Sequence, residues 1–202
     1  MENLSAMWET FSLSESEGSQ YRVSESSVEG PYLLAARFFI GRVLSIVAIR
    51  TFKLLWNTKK GFEVRDMGNH CVIFAFKEET NIEKILVGEP WSFDKNLVAL
   101  KRVLRLVEVN GLVFDNVRFW VQVHDLLLGS MNMRTASNIV SAAGEVISGS
   151  SDAEEFEGGN FMRVQVSIDI TKPLSRGRKV EFSNGEVSWV SFKYEHLPNL
   201  CY

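Results

Sequence analysis

The residues best suited to chemistry are the cations of a short segment near the carboxyl end of the sequence. The segment KPLSRGRK, residues 172–179, contains four bases and no acid, namely Lys172, Arg176, Arg178 and Lys179. Its proline and its glycine are typical of a loop, and no packing role is evident for the long side chains. Phosphate contacts require only positioned cations, because each neutralised phosphate releases counterions. The segment is therefore a candidate nucleic-acid contact, and a solvated turn is the alternative.

Charge is strongly segregated along a chain of 202 residues whose net charge is only −3. Residues 1–30 contain six Glu and one Arg, whereas residues 37–60 contain six bases and no acid. Segregation of this kind can make local basic patches on an acidic protein, and separate solvated faces are the alternative. The further candidate nucleic-acid-binding cations are Arg42, before the first predicted helix, and Lys101 and Arg102, at the end of the fourth predicted strand.

Groups that could perform catalysis are scattered. The three histidines, His70, His124 and His196, fall on separate predicted elements without ligand spacing, so we expect each to be structural or solvated. The sequence contains no G-x-S-x-G elbow, no Walker-type glycine loop and no H-E-x-x-H motif. We expect a protein that is not an enzyme and that holds no cofactor in this chain.

Cysteine usage and hydropathy predict an intracellular protein, nuclear or cytoplasmic. The two cysteines, Cys71 and Cys201, give no disulfide framework, which suits a reducing compartment. The acidic, Ser-rich start is unlike a signal peptide, and no apolar run approaches the roughly 20 residues of a membrane span. No membrane partner is expected.

The elements that must position these residues begin with a predicted β-hairpin over residues 61–77, which turns at residues 67–70. A strand is predicted over Leu33–Ile40, a helix over Ser45–Trp56, and a second helix with a capping box at Thr80–Glu83 that ends at Gly88. Residues 91–94 are predicted as a turn, and Leu97–Val103 as a strand. The order β-α-β-β-α-β is that of an α+β, ferredoxin-like unit with both helices on one face, the plan of RNA-recognition domains.

The pattern starts again at residue 117, which predicts a second β-rich unit with one main helix. Strands are predicted over residues 117–124, 161–170, 179–182 and 187–194, and a helix from Met133 to Ala143 that Gly144 ends. The last two strands form a hairpin across Asn184-Gly185. The tryptophans Trp56, Trp91, Trp120 and Trp189 are expected in the core or at an interface.

Four pieces of the sequence resemble a plant domain-of-unknown-function family of LINE-type (non-LTR) retrotransposon-derived proteins. They are MENLSAMWETFSLSESEG, GNHCVIFAFKEETNIEKILVGEPWSFDKNLVALKRV, FWVQVHDLLLGSMN, and RVQVSIDITKPLSRGRKV running on to WVSFKYEHLPNLCY. The resemblance covers nearly the whole chain and is strongest in GEPWSFDKNLVALKR and FKYEHLPNLCY. It implies an RNA-recognition-like module that binds nucleic acid.

In similar proteins the last piece continues into a CCHC zinc knuckle, so the resemblance implies that Cys201 is its first metal ligand. The sequence ends one residue later, and one thiolate cannot make the four-coordinate site that zinc needs. Zinc is therefore implied only for a longer form. The expected layout is an acidic flexible lead-in (1–30), an RNA-recognition-like domain (31–104), a connector (105–116), a second β-rich unit (117–196) and the start of a truncated knuckle (197–202).

An RNA-recognition domain stacks bases on aromatic residues that its two central strands expose. Phe39 is a candidate on the first strand, but the corresponding positions of the third strand are Asn69, Cys71 and Ile73, none of them aromatic. The open face of the sheet is apolar enough to be covered by the second unit or by another chain.

Two functional hypotheses follow. The first is a non-catalytic protein that binds single-stranded RNA or DNA through the cations named above. The alternative is a protein-interaction or self-association module without direct nucleic-acid binding.

Overall fold

The chain folds into two antiparallel five-stranded sheets in a computed structural model that describes residues 31–103, 111–147 and 160–197. The first sheet contains β1 (Tyr32–Phe38), β2 (Phe62–Gly68), β3 (Cys71–Phe76), β4 (Trp91–Phe93) and β5 (Asn96–Val103) in the spatial order β2-β3-β1-β5-β4. The second contains β6 (Asn116–His124), β7 (Glu145–Val146), β8 (Phe161–Asp169), β9 (Gly177–Glu181) and β10 (Val187–Tyr194) in the order β7-β8-β6-β10-β9. The predicted mixed α+β class is confirmed.

The helices of the described ranges are short. They are α1 (Ile46–Ile49), α2 (Phe52–Leu55), α3 (Glu79–Val87) and α4 (Met133–Val140), with a 3-10 turn at Leu128–Ser130. Within the described ranges, no helix is long and apolar enough to cross a bilayer.

The hairpin predicted over residues 61–77 is confirmed as β2 and β3. Its tight turn is made by Asn69 and His70, which take φ angles of 49° and 58°. Positive φ at both central residues is the geometry that matches the twist of paired strands. Phe62 lies opposite Phe76, and Val64 opposite Phe74. The alternation places Val72, Phe74 and Phe76 on one face of the sheet and Ile73 on the other.

The strict order β-α-β-β-α-β is wrong for the first sheet, because the observed order is β-α-α-β-β-α-β-β. The predicted first helix is interrupted where Lys53 and Leu54 donate backbone hydrogen bonds to residues only three positions earlier, Arg50 and Thr51. Bonds of that span tighten the turn and end the regular helix. The predicted turn at residues 91–94 instead begins with strand β4, where Trp91 pairs with Val98.

The predicted capping box at residues 80–83 is also wrong. Helix α3 begins one residue earlier, at Glu79, and its N-cap residue Glu78 makes no side-chain capping hydrogen bond. The side chain of Glu83 accepts a hydrogen bond from Arg102 at 2.6 Å rather than turning back to the helix start. The predicted end is confirmed, since Gly88 is the C-cap residue.

The helices α1 to α3 pack on one face of the first sheet. Their buried residues Ile49, Phe52, Ile82 and Ile85 share a core with Leu34, Ala36, Phe38, Val72, Phe74, Phe76, Val98 and Leu100. Burial of this apolar area stabilises the unit by about 25 cal/mol for each Å² removed from water.

The other face of the first sheet is covered. Ala35, Ile73 and Ala99 belong to the same buried cluster as the inward residues of the second sheet, among them Phe119, Val121 and Val166. The two sheets therefore share one core, and the expectation that the second unit covers this face is confirmed.

The strands of the second sheet follow their predicted alternation with one exception. Val164, Val166 and Ile168 point inward and are buried. Gln165 lies on the opposite side of β8 from these residues, yet it is only 4% exposed, and its side chain donates a hydrogen bond at 3.1 Å to the carbonyl of Val87. A buried amide is tolerated when it has such a partner.

Several predictions fall outside the described residues. The lead-in at residues 1–30 and the chain end from residue 198, with Cys201, lie there. Residue 104 and residues 105–110 of the predicted connector also lie there. The domain boundaries stay predictions.

Candidate nucleic-acid interface

Three of the predicted cations are engaged by neighbouring groups. Arg42 forms an ion pair with Asp94 at 2.6 Å, and Lys101 donates a hydrogen bond at 2.9 Å to the carbonyl of Val113. Arg102 is held by Glu83 and also by Glu79, both on helix α3. A guanidinium that already has two carboxylate partners is poorly suited to binding a phosphate, because a new contact must displace them. Arg102 is therefore a structural residue.

Phe39 lies just after β1, and 41% of its surface is exposed. Its backbone N–H donates to the carbonyl of Leu97, so its position is fixed. The inward neighbours Ala35 and Ile73 on the same sheet are buried in the shared core. Among the described residues of this sheet no second aromatic is exposed beside Phe39, so these residues do not form a stacking platform.

The remaining predicted cations, Lys172, Arg176, Arg178 and Lys179, lie on and before the hairpin formed by β9 and β10, and all four are exposed. The hairpin turns at Gly185, whose φ is 79° and whose N–H donates to the carbonyl of Phe182. The predicted Asn-Gly turn is thus confirmed. The predicted loop is partly a strand, since β9 begins at Gly177.

Two of these four cations are partnered. Lys172 pairs with Asp169 at 2.7 Å, and this hydrogen bond lowers the pKa of Asp169 to about 2 and raises the pKa of Lys172. Arg178 donates a hydrogen bond from its guanidinium to the carbonyl of Asn138 at 3.3 Å, which positions the guanidinium without neutralising its charge. The side chains of Arg176 and Lys179 have no hydrogen-bond or ion-pair partner in the part of the chain that the structure describes. They are the cations most available to a phosphate.

Trp189 is the residue that sequence reasoning missed. It was expected in the core or at an interface, but its side chain is 51% exposed on β10, directly opposite Lys179 on β9. Its ring lies against the backbone of Gly177, where a Cβ atom would come within 2.7 Å of the indole. The sequence of β10 could have shown this, because successive side chains of a strand point to opposite faces. Val190 and Phe192 point inward, so Trp189 must point outward.

The outward side of the second sheet also carries an ion pair that is structural. Arg163 donates to both carboxylate oxygens of Glu195, at 2.8 and 3.0 Å for the shortest bond to each, and its guanidinium lies 4.0 Å from the ring centroid of Trp120. Burial alone would raise the pKa of Glu195, but the hydrogen bonds from Arg163 and Gln122 lower it below its usual value. This arrangement anchors the end of β10.

We expect Glu195→Gln to lower the free energy of unfolding by about 2 kcal/mol at pH 7, because it removes charge-assisted bonds from a carboxylate that is mostly buried. A folded-state pKa below the unfolded value gives stability that is present above pH 4.5 and is lost as pH falls. Urea unfolding at pH 7 and pH 3 measures this, and the difference from wild type should shrink at the lower pH. An equal difference at both pH values would contradict the charge-assisted bond.

Two protein families match separate parts of the chain. Residues 32–104 match a domain of unknown function, DUF4283, and residues 168–202 match the zinc knuckle family. The chain carries a DUF4283 domain followed by a zinc-knuckle segment. No curated protein and no solved structure matches it.

The residues of the zinc-knuckle segment do not by themselves fit a zinc ion. Residues 168–202 contain one cysteine, Cys201, and one histidine, His196, whereas a CCHC site needs three thiolates and an imidazole. The other cysteine, Cys71, is half-buried in β3, where burial raises its pKa and so disfavours the thiolate. Within the ranges 31–103, 111–147 and 160–197, no cluster of three or more His, Cys, Asp or Glu residues could hold a metal.

The family boundaries separate the two groups of cations. Arg42, Lys101 and Arg102 belong to the DUF4283 domain, where each has a partner. Arg176, Lys179 and Trp189 belong to the zinc-knuckle segment, which contains the whole β9–β10 hairpin. The available cations and the exposed aromatic thus all lie within the segment that matches the zinc knuckle family.

Proposed function

We propose that this chain is a non-catalytic protein that binds single-stranded nucleic acid, RNA in the first place, through the exposed side of the β9–β10 hairpin. The observation that carries the proposal is that Trp189 and Lys179 lie opposite each other across the two strands. Arg176, which has no side-chain partner among the described residues, lies just before β9. The zinc-knuckle match supports it, since knuckles are RNA-binding modules.

The chemistry of this surface suits a single strand better than a duplex. An exposed indole can stack on any unpaired base, because every base has a π-face. Side chains directly opposite each other on paired strands have Cβ atoms about 5 Å apart, so Lys179 can reach the phosphate of a nucleotide whose base stacks on Trp189. These contacts read the backbone and a ring face, so we expect weak sequence selectivity.

In this proposal the DUF4283 domain supports the hairpin and does not itself read RNA. Its sheet has no free face for base stacking, because the second sheet shares its core. The resemblance to LINE-type proteins leads us to propose a retrotransposon origin, an intracellular location, and a longer form in which a complete knuckle holds zinc beside the hairpin. Ligation by Cys201 is part of that proposal.

The double variant Arg176→Ala/Lys179→Ala should weaken binding of a labelled oligouridylate by about tenfold or more at about 50 mM salt, because it removes two phosphate contacts. The slope of log K against log salt should become shallower by about 1.4, from 0.7 per phosphate on a single strand. Trp189→Ala should lower the affinity by a further 5- to 150-fold, or about 1–3 kcal/mol, because it removes one stacking contact. Fluorescence anisotropy at two salt concentrations measures all three effects.

Lys77→Ala/Lys84→Ala is the matched control, because it removes two exposed cations from the DUF4283 domain. If binding is confined to the hairpin, this control should keep the affinity within about twofold of the wild-type value and leave the salt slope nearly unchanged. Absence of binding by the wild type at low salt would refute the proposal. Equal losses in the two double variants would refute the assignment to the hairpin.

A second function, protein interaction, is favoured by one separate observation. Val43, Val47 and Leu54 around the first two helices are between 75% and 92% exposed. Several large aliphatic side chains exposed within one short segment are typical of interaction surfaces. Light scattering of the full chain tests self-association, and a strict monomer at all concentrations would exclude it.

A further inference from the structure

A pair of rings lies on strands β6 and β8 of the second sheet, away from the β9–β10 hairpin. His124 on β6 is directly opposite Phe161 on β8. Their ring centroids are 4.9 Å apart, and the ring planes are tilted by 35°. Both side chains are half-buried, so each ring keeps part of its surface accessible to solvent. We refer to these two residues as the His124–Phe161 pair.

This pair lies on the same side of the sheet as Trp189. Val123 on β6 and Phe192 on β10 are opposite each other, and both are buried in the core. Successive side chains of a strand point to opposite faces, so His124 and Ser191, the residues next to them, point outward. Trp189 is two positions from Ser191 and therefore points outward as well. The outward side of the sheet is one surface that runs from the hairpin to β8.

The indole of Trp189 leans toward the His124–Phe161 pair. Its ring lies against Gly177, which is opposite Ser191, the residue of β10 that falls beside His124. Trp189 and His124 are therefore diagonal neighbours on adjacent strands, a relation that corresponds to about 7–8 Å. Successive nucleotides of an extended single strand can bridge such a separation. One base stacked on Trp189 thus leaves the next base over the His124–Phe161 pair.

Two lysines border this path. Lys179 is opposite Trp189, and Lys193 is opposite Gln122, two positions from His124 on β6. Lys193 is exposed, and its side chain has no partner in the ranges that the structure describes. Burial and the charge of Lys193 both lower the pKa of His124, which keeps the imidazole uncharged near pH 7. The path therefore combines neutral rings with separate cations.

Charge and ring chemistry decide which ligand fits this surface. Two acids near the path have partners of their own, since Glu195 is held by Arg163 and Asp125 accepts a hydrogen bond at 2.5 Å from the hydroxyl of Ser191. An acidic peptide would use the lysines but would leave the rings without flat partners. A single-stranded nucleic acid alternates anionic phosphates with flat bases, so it uses both kinds of group.

We propose that the single strand bound at the hairpin continues across the outward side of the second sheet, with a second base stacked on the His124–Phe161 pair and a neighbouring phosphate held by Lys193. This inference rests on the function proposed above and extends its site from one base to two. It also gives a role to β6 and to Phe161, which lie between the segments that match the two families.

Phe161→Leu tests the second stacking position, because leucine keeps an apolar side chain in β8 but has no ring. We expect it to weaken binding of a labelled octauridylate by about 5- to 150-fold. The slope of log K against log salt should stay unchanged, because stacking releases no counterions. Phe161→Tyr retains the ring and should bind within about twofold of the wild type. Lys193→Ala should make the salt slope shallower by about 0.7, the value for one phosphate.

Phe39→Leu is the matched control, since Phe39 is 41% exposed and belongs to the DUF4283 domain. It should leave the affinity within about twofold of the wild-type value. Crosslinking of the unaltered protein gives an independent measurement. An octauridylate that carries one 5-iodouridine, moved through successive positions, should label Trp189 from one position and Phe161 or His124 from an adjacent one.

The outcomes separate this inference from the function on which it rests. Weaker binding by Trp189→Ala together with wild-type binding by Phe161→Leu would overturn the second base position and leave binding at the hairpin intact. Equal losses in Phe161→Leu and Phe161→Tyr would indicate a packing effect and would overturn it, as would crosslinks confined to the hairpin. A loss in Phe161→Leu but none in Trp189→Ala would support the second position and refute the first. Absence of wild-type binding at low salt would refute both.

Discussion

Replacing Glu89 by Gln is expected to raise the free energy of unfolding by about 4 kcal/mol above pH 8 and to leave it nearly unchanged at pH 4.5. Glu89 follows helix α3 and is only 3% exposed. Its Oε1 has no hydrogen-bond partner among the described residues, and its Oε2 lies 3.7 Å from Nε of Arg118, beyond hydrogen-bonding distance. A carboxylate in this setting loses its hydration without adequate compensation.

The pKa of Glu89 gives the sign of the effect. Burial raises this pKa from 4.5 to about 8, although the charge of Arg118 and a backbone hydrogen bond from Leu100 oppose the rise. Below pH 4.5 the carboxyl is protonated in both the folded and the unfolded chain, so its full contribution to stability is present. Between pH 4.5 and pH 8 the unfolded chain releases the proton while the folded chain retains it. Stability therefore falls as pH rises through this window.

Urea unfolding of the wild type and of Glu89→Gln at pH 5 and pH 8.5 measures the difference. Glutamine has nearly the volume of a protonated glutamic acid and carries no charge, so the variant should show no such loss with pH. Glu63→Gln is the matched control, because its carboxylate is 75% exposed and should change stability by less than about 0.5 kcal/mol. A wild type whose stability relative to Glu89→Gln is the same at both pH values would show that Glu89 is ionised in the folded protein.

Strands were predictable from the sequence because their alternation reports burial directly. β6 and β8 were placed to within a residue, since each alternates apolar and polar side chains over nine residues. Helix ends and breaks were less predictable. The capping box at residues 80–83 failed because Glu83 is used by Arg102, a residue 19 positions away that only the tertiary fold brings near.

The candidate site was also predictable in part, but from composition rather than from alternation. Arg176 and Lys179 were found from composition alone, and the structure leaves both without partners among the described residues. Composition could not reveal that Arg42 pairs with Asp94, since ion pairing depends on distances in space. Trp189 was missed because tryptophan is usually buried, and only the register of β10 against β9 places it beside Lys179.

The core of the DUF4283 domain depends on Phe52, and we expect Phe52→Ala to lower the free energy of unfolding by about 4 kcal/mol. Phe52 is fully buried, and its ring centroid lies 4.9 Å from that of Trp56 and 5.9 Å from that of Phe38. It also contacts Phe74 and Phe93, at 6.4 and 6.0 Å. Truncation removes these ring contacts and leaves a cavity among large rigid side chains that cannot close it.

Leu54→Ala tests whether this cost arises from packing and not from the helical segment as such. Leu54 lies two residues from Phe52 in the same helix α2 but is 85% exposed, so its truncation should change stability by less than about 0.5 kcal/mol. Phe52→Leu should fall between the two, because leucine fills part of the volume but loses the aromatic edge contacts. Urea unfolding of the three variants gives this order if α2 anchors the sheet through Phe52. A loss in Leu54→Ala as large as in Phe52→Ala would instead mean that the exposed aliphatic side chains of this segment, and not the aromatic cluster, hold it in place.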